Sequence, residues 1–372
     1  MPIAHTSDNT QTASERVLES AQYINRHSKD VHVPEAGVRE AAQEIMKRMQ
    51  STGYSAASWK QHALNPSVAT EAALEWIFVV DALNFSFWSD KAAPDQRYTV
   101  TLDGKAYQGY WTLCASVNRA LHEGIPITDS AFYSTLTETQ MAHIFRTDQP
   151  DHQEPAPLLE ERLGVLHEVG TVLRDKYQGL FSNVVRRSRG SAQRLVDLVV
   201  RDFACFRDEH VFQDRTVQLY KRAQILVADI WACFEGEGLG RFYDIDGITM
   251  FADYRVPQAL CHFGALEYSP RLLAFLRESE QAVREKGEKQ MQCMAMVYPP
   301  QRPGLLASGH PWEVEIRGNS IWAVEQIRRI ISEASGIAVN AILIDFYLWD
   351  YAKDQAQAMQ TIPIHLTRSI FY

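Results

Sequence analysis

The sequence predicts a mainly α-helical protein that carries one small β-hairpin. Apolar residues recur at intervals of three and four along most of the 372-residue chain, and this spacing is typical of one helix face. One stretch near residues 98–111 instead places β-branched and aromatic residues around an Asp-Gly pair, the strongest short signal for a hairpin. The composition, 46% hydrophobic and 22% charged, is that of a globular protein with a large core.

The helical segments are predicted from their caps and their apolar spacing. The first begins with Ser14 as N-cap. The third begins with Asn65 as cap and Pro66 at the first helical position. The predicted helices cover residues 14–28, 35–50, 65–88, 158–179, 191–203, 220–236, 270–287, 321–335 and 340–355.

The domain organisation is predicted to be simple, because no repeat, low-complexity run or long linker divides the chain. Residues 1–16 are polar and are expected to form a flexible N-terminal tail. Residues 17–372 are expected to form one helical catalytic domain. Within it, residues 286–310 are rich in Pro, Gly and Met, which favours a surface loop.

Charge and composition exclude several classes of function. The net charge of -9 and the lack of a basic stripe argue against nucleic-acid binding. No apolar run approaches the ~18 residues of a membrane span, and the polar opening does not resemble a secretory signal. Five scattered cysteines indicate reduced thiols in a cytoplasmic protein. No metal site is expected, because the candidate acids and histidine lack ligand spacing.

The segment "ITMFADYRVPQAL" is the first candidate for a binding site. Phe251, Asp253 and Arg255 alternate before Pro257, and an extended backbone would place all three on one side. Pro257 suits the first position of a new helix. An aromatic ring, a carboxylate and a guanidinium would thus converge near a helix start. A buried ion pair beside a packed ring explains the pattern at least as well.

The segment "ILIDFYLWDYAKD" carries two acids, Asp345 and Asp350, on a helix that is apolar almost all round. Buried carboxylates are unfavourable unless they are paired or functional. Five helical positions turn the chain by about 140°, so the two acids would not share a face unless the pocket wraps the helix. Phe346 and Asp350 would share one. Pairing with arginines is an equally good interpretation.

Two further segments could bind an anion. His62 precedes a predicted helix start, where N–H groups gather, although a lone histidine is more often structural. Lys221 and Arg222 begin another helix, where the helix dipole opposes them. An anionic partner would explain these two residues, and so would simple exposure to solvent.

Several long motifs together resemble the queuosine salvage protein family, from about residue 17 to the C-terminal "FY". They are "ALEWIFVVDALNFSFW", "GYWTLCASVNRALHEGIPIT", "YKRAQILVAD", "ITMFADYRVPQ", "VEIRG" and "DFYLWDYA". The resemblance implies a helical fold similar to that of helix-hairpin-helix DNA glycosylases. It also implies hydrolysis of the bond between the base queuine and ribose 5′-phosphate. The implied reaction needs no cofactor, and it frees queuine for tRNA modification.

The resemblance also implies roles for individual residues. Asp253 matches the carboxylate that acts as nucleophile or stabiliser of the cationic sugar. The matching substrate-binding residues are His62, Phe251, Asp253, Asp345, Phe346 and Asp350. Phe346 departs from the family pattern, since some members carry Tyr there, which would remove one hydrogen bond.

Supporting roles are expected for four basic residues. His62, Lys221 and Arg222 are the candidates for binding the phosphate, and Arg255 would favour the charged form of Asp253. The expected partner is the small-molecule substrate, with no nucleic acid and no membrane. Three alternatives stay open: a queuine-binding module without chemistry, a glycosylase that acts on nucleic acid, and a purely structural helical protein.

Overall fold

A computed structural model describes residues 11–289, 305–335 and 339–372. The protein is mainly helical, as predicted. Its α-helices within these residues are α1 (Ala13–His27), α2 (Glu35–Thr52), α3 (Glu71–Ala82), α4 (Tyr110–His122), α5 (Ser130–Tyr133), α6 (Glu138–Ile144), α7 (Leu159–Tyr177), α8 (Phe181–Ser188), α9 (Ala192–Asp202), α10 (Lys221–Cys233), α11 (Val256–His262), α12 (Pro270–Lys289), α13 (Pro311–Ser335) and α14 (Ala341–Asp354).

The strands of the described residues form three two-stranded antiparallel pairs. The predicted hairpin is confirmed, with β2 (Val100–Leu102) and β3 (Lys105–Tyr107) joined at Asp103-Gly104. The other pairs, which the sequence reasoning missed, are β1 (Val31–His32) with β6 (Glu267–Tyr268), and β4 (Glu209–Phe212) with β5 (Arg215–Gln218). The expectation of a single hairpin was therefore wrong.

The unpredicted hairpin of β4 and β5 has a turn without glycine. Gln213 and Asp214 connect the strands with φ values of 46° and 63°. Both angles lie in the left-handed region, as a tight type I′ turn requires. Non-glycine residues adopt this region only at a cost, so a sequence search for Asn-Gly or Asp-Gly pairs does not find this turn.

Three predicted helix starts were displaced, that of α13 by ten residues, from position 321 to Pro311. The third predicted helix begins at Glu71, after Thr70, whose side chain accepts the N–H of Ala73. Asn65 lies outside the helix and donates to the carbonyl of Trp59. The helix ends at Ala82, well before the predicted Trp88. Likewise, the cap of α1 is Thr12 and not Ser14.

The predicted tail and surface loop are described only in part. Helix α1 begins at Ala13, so residues 13–16 of the predicted tail are helical, while residues 1–10 lie outside the described residues. Helix α12 extends to Lys289 and α13 already begins at Pro311. Residues 290–304 of the predicted loop lie outside the described residues. The similarity to helix-hairpin-helix glycosylases stays a prediction.

The core surrounds two helices that are buried almost all round. In α3, the described side chains from Trp76 to Ala82 are all buried, and α10 exposes little of its surface. Helix α10 packs against α3 and α9, while α13 packs against α1, α2, α11 and α14. The segment between α10 and α11 runs through this assembly next to α14, and this arrangement positions the candidate site.

Candidate active site

A cavity of about 540 Å³ lies where α10, α14, the start of α4, the segments that follow α2 and α3, and the segment before α11 meet. The predicted site residues that line it are His62, Lys221, Phe251, Asp253, Arg255, Asp345, Phe346 and Asp350. Arg222 does not line this cavity. Residues from four distant parts of the sequence are therefore brought together in one place.

Asp253 is held at one oxygen by the backbone of the next residues. Its Oδ1 accepts the N–H groups of Arg255 and Val256, both at 2.8 Å. No hydrogen bond to its Oδ2 occurs within the described residues. The side chain lines the cavity, so one oxygen fixes the carboxyl group while the other stays available to a ligand.

The segment that carries Asp253 is fixed by side chains from three helices. The N–H of Thr249 donates to Gln224 Oε1 at 2.9 Å. The N–H of Phe251 donates to Asp345 Oδ2 at 3.1 Å, and the buried Arg317 donates through Nε to the carbonyl of Ala252 at 2.8 Å. Such fixed partners orient the following residue, Asp253, towards the cavity.

The extended backbone ends earlier than predicted. Arg255 has φ -94° and ψ -44°, which are helical values, and α11 begins at Val256. Pro257 is thus the second helical residue and not the first. Phe251, Asp253 and Arg255 nevertheless all line the cavity, because the chain bends at residues 254–255.

Helix α14 presents both of its acids to the cavity. Five residues of this helix line the cavity at successive steps of one, three, one and three: Asp345, Phe346, Trp349, Asp350 and Lys353. They span about 140° of the helix surface from Asp345 to Asp350. The cavity therefore wraps the helix. This is the arrangement that the sequence analysis required for Asp345 and Asp350 to line the same pocket.

Asp253 and Asp345 differ in their surroundings. Burial raises the pKa of Asp253, but two backbone N–H groups, the Lys221 ammonium and the Arg255 guanidinium oppose this rise. Burial and the charge of Asp253 raise the pKa of Asp345 well above its usual range. Two neighbouring acids in such unequal surroundings favour one charged and one neutral carboxyl group.

The carboxyl group of Asp350, the second acid of α14, has a hydrogen-bond partner outside the helix. The hydroxyl of Tyr54 donates to its Oδ2 at 2.5 Å. Burial raises the pKa of Asp350, and this hydrogen bond opposes the rise. The other oxygen of the carboxyl group can accept a hydrogen bond from a ligand.

His62 belongs to an aromatic wall. Its ring stacks on Trp111 with centroids 3.3 Å apart and planes 8° apart. Burial, with Lys105 and Lys353 nearby, lowers the pKa of His62 to about 4. Its Nδ1 accepts the N–H of Leu64 at 3.3 Å, so Nε2 carries the proton of the neutral ring. A neutral histidine is poorly suited to bind a phosphate.

Lys221 and Arg222 are both buried at the start of α10, so the interpretation of simple solvent exposure was wrong. Lys221 Nζ donates to Asn84 Oδ1 at 2.9 Å and to the Asn84 carbonyl at 3.2 Å. Arg222 donates to the carbonyls of Ala82 and Cys205. Its guanidinium lies 4.7 Å from the ring centroid of Phe206. Arg222 therefore ties helices together in the core.

Several cavity residues were not singled out from the sequence. Asp229 is buried, and burial together with the charge of Asp81 raises its pKa well above the usual range. Trp111 and Trp349 form an edge-to-face pair with centroids 6.0 Å apart. Lys353 lies four positions after Trp349, and this helical spacing is the one signal that could have found it.

The described residues were compared with the requirements of a metal site and of a membrane-spanning helix, and they meet neither. No group of three or more His, Cys, Asp and Glu side chains there is arranged to hold a metal ion. No helix in the same part of the chain is long and apolar enough to cross a membrane.

Comparison with known proteins gives a consistent assignment. A family model described as queuosine salvage protein matches residues 64–297 and 301–372. A protein of Bos taurus named queuosine 5′-phosphate N-glycosylase/hydrolase is 44% identical over 362 residues, covering 95% of this chain and 98% of the relative.

Relatives from other organisms carry the same name. That of Schizosaccharomyces pombe is 42% identical over 374 residues, with 96% of this chain and 99% of the relative covered. That of Sphaerobacter thermophilus is 36% identical over 361 residues, with 97% of each covered. The chain therefore belongs to the queuosine salvage protein family.

Proposed function

We propose that this chain hydrolyses the N-glycosidic bond of queuosine 5′-phosphate and releases the base queuine, with Asp253 as the catalytic carboxylate. Two facts support this: the names of relatives that match nearly the whole chain, and the site itself. The observation that carries the proposal is that Asp253 lines a cavity together with a second acid, Asp345, whose pKa is raised by burial and by the charge of Asp253.

The chemistry requires a negative charge beside the sugar. As the bond between C1′ and the base breaks, positive charge develops on C1′ and the ring oxygen. An ionised carboxylate fixed at that point stabilises the charge or forms a covalent bond to C1′. Asp253 suits this role because its Oδ1 is held by two N–H groups while Oδ2 makes no hydrogen bond in the described residues. Water then supplies the new oxygen on C1′.

The departing base must gain a proton by another route than ordinary purines use. A 7-deaza base has no N7 to protonate, so assistance must come at its other polar atoms. Burial and the charge of Asp253 raise the pKa of Asp345 well above its usual range, which favours its protonated form. In this form it donates a hydrogen bond to the base as negative charge develops there.

Recognition of the base is assigned to rings and acids around it. His62, Phe251 and Phe346 offer aromatic surface, and Phe251 and Phe346 have ring centroids 6.0 Å apart. Phe346 keeps this packing although it lacks the hydroxyl of Tyr. Asp350 accepts hydrogen bonds from N–H groups of the base or from its cationic side-chain amine, while Tyr54 orients it.

The direct test is incubation of the protein with queuosine 5′-phosphate, followed by chromatographic detection of the base. We expect free queuine to appear in proportion to protein concentration. Intact nucleotide that stays bound would instead identify the chain as a binding protein without chemistry.

A glycosylase acting on nucleic acid is the other candidate. The net charge of -9 opposes a polymer of phosphates. We therefore assign a free nucleotide as substrate, with no nucleic-acid or membrane partner. A gel-shift titration with duplex DNA and with tRNA at low salt should show no complex, and tight binding would reverse this assignment.

The cytoplasm is the proposed compartment. Cys114, Cys205, Cys233 and Cys261 are thiols that form no disulfide. Most of them are buried, and burial raises the pKa of Cys233 to about 11. Unpaired thiols are usual in a reducing compartment. Fractionation of cells that express the chain should place it with cytoplasmic markers.

A further inference from the structure

A second cavity, of about 650 Å³, adjoins the candidate active site. The two cavities share four lining residues: Phe87, Gly109, Arg255 and Lys353. The two cavities therefore lie next to each other at these four residues.

The two cavities differ in charge. Four acids line the first cavity: Asp229, Asp253, Asp345 and Asp350. The cationic residues of the second cavity are Lys91, Arg97, Arg162, Arg255 and Lys353, against the carboxylates Glu154 and Glu280. Acid-rich and base-rich regions thus meet at Arg255 and Lys353.

Two of the five cationic residues of the second cavity already donate to backbone carbonyls. Arg97 donates to the carbonyls of Lys91 and Ala92, at 3.1 and 2.9 Å. Arg162 donates to those of Pro157, Leu83 and Phe85. These guanidinium groups hold loops in place, as Arg222 does in the core.

Arg255 and Lys353 are different, because the side chain of neither donates to a backbone carbonyl or to a carboxylate in the described part of the chain. Arg255 Nη1 donates only to Gln258 Oε1, at 3.3 Å. Lys353 Nζ lies 4.0 Å from the ring centroid of Trp349 and 5.0 Å from that of Trp111. Burial and the nearby Arg255 lower the pKa of Lys353 to about 8. Two cations that repel each other beside a cavity are stabilised by an anion between them.

We propose that Arg255 and Lys353 bind the 5′-phosphate of the substrate where the two cavities meet, with the base in the acidic cavity and the sugar at Asp253. This inference rests on the proposed function and assigns the phosphate to residues other than His62, Lys221 and Arg222. Asp253 and Arg255 are two residues apart on the same wall, so sugar and phosphate of one nucleotide can contact both. Guanidinium and ammonium groups are the usual protein ligands of phosphate.

Kinetics with two substrates test the assignment. Lys353→Met keeps the length and apolar packing of the side chain but removes its charge. We expect kcat/KM for queuosine 5′-phosphate to fall about 10- to 100-fold, as for one charged hydrogen bond, mainly through KM. For the nucleoside queuosine, kcat/KM should change less than about threefold. Arg255→Gln should also lose more activity on the nucleotide than on the nucleoside, but its loss on the nucleoside should exceed that of Lys353→Met, because the Arg255 guanidinium also helps to keep the pKa of Asp253 low.

Lys91→Met is the matched control, since Lys91 lines only the second cavity. It should leave both substrates within about threefold of the wild type. Equal losses on nucleotide and nucleoside in Lys353→Met would overturn the assignment, and so would a selective nucleotide loss in Lys91→Met. Absence of hydrolysis of either compound by the wild type would contradict the proposed function instead.

Calorimetric binding of ribose 5-phosphate decides the phosphate site without any turnover. We expect the wild-type protein and Lys91→Met to bind it, and Lys353→Met to bind it at least about tenfold more weakly. Equal binding by the wild type and Lys353→Met, or no binding by the wild type, would show that the phosphate is bound elsewhere.

Discussion

The carboxyl group of Asp345 accepts the backbone N–H of Phe251 at 3.1 Å, across 94 positions of sequence. This bond joins helix α14 to the segment that carries Asp253. It also places the two acids close enough for the charge of Asp253 to raise the pKa of Asp345. The hydrogen bond between Phe251 and Asp345 therefore fixes the distance between the two acids, and this distance influences the protonation of Asp345.

Asp253→Asn should fold normally and lose most of its hydrolysis. An asparagine Oδ1 can still accept the N–H groups of Arg255 and Val256, so the start of α11 keeps its partners. Without the negative charge beside the sugar, kcat should fall by roughly a hundred- to a thousandfold. Release of queuine measures the rate, and circular dichroism measures the fold.

Asp175→Asn is the matched control, because Asp175 lies exposed on α7, away from the cavity. It should retain the wild-type rate. Near-normal turnover by a folded Asp253→Asn would remove Asp253 from the catalytic role.

The dependence of kcat/KM on pH should be bell-shaped. Activity should fall at low pH as Asp253 takes up a proton, at a pH above the ordinary aspartate value because burial raises its pKa. It should fall again at high pH as Asp345, whose pKa is raised well above its usual range, loses its proton. Steady-state rates over a range of pH measure both sides of the profile.

Asp345→Asn separates the two sides of this profile. The asparagine Oδ1 can still accept the N–H of Phe251 but cannot titrate. With the nucleoside queuosine as substrate, which has no phosphate for Lys353 to bind, the fall at high pH should disappear, and the fall at low pH should remain. An unchanged decline at high pH in this variant would assign that titration to another group.

Local sequence patterns were sufficient for much of the fold and for the positions of the candidate residues. The periodicity of α7 and α9 placed both helices within one or two residues of their ends. The alternation of Phe251, Asp253 and Arg255 indicated residues that do line one cavity. Each of these features depends on neighbours a few positions away, which a sequence displays directly.

Features that depend on distant contacts could not be predicted in this way. Whether Lys221 lines a cavity and Arg222 binds carbonyls is decided by how α10 packs against α3. The first turns of predicted helix 65–88 are not helical, since Asn65 bonds to Trp59 instead. The second cavity combines residues from many segments, and no local pattern marks it.

Asp81 should make the stability of the protein depend on pH. This acid is fully buried on α3, and burial raises its pKa to about 7. Between about pH 4 and pH 7 the unfolded chain releases this proton while the folded chain keeps it, so the contribution of Asp81 to stability falls as pH rises. The total loss is roughly 4 kcal/mol, at about 1.4 kcal/mol for each pKa unit.

Asp81→Asn removes this titration and should therefore gain stability relative to the wild type as pH rises through this window. Denaturant unfolding at pH 4.5 and at pH 7.5, within and above the range given by the linkage relation, measures the difference. Asp175→Asn should show the wild-type pH dependence. If Asp81→Asn and the wild type lose stability in parallel, Asp81 does not hold a proton in the folded state.

A pair of glycine substitutions tests the packing of α2 against the end of α11. A Cβ on Gly37 of α2 would lie 1.9 Å from the carbonyl oxygen of Gly264, and a backbone atom cannot yield as a side chain can. Gly37→Ala should therefore lower the free energy of unfolding by roughly 1–3 kcal/mol.

Gly164 lies on the exposed side of α7 with no atom within 4 Å of an added Cβ. Gly164→Ala should stabilise the protein by about 0.5–1 kcal/mol through helix propensity. Denaturant titration compares the two variants, and a Gly37→Ala protein as stable as Gly164→Ala would show that the two helices pack less closely.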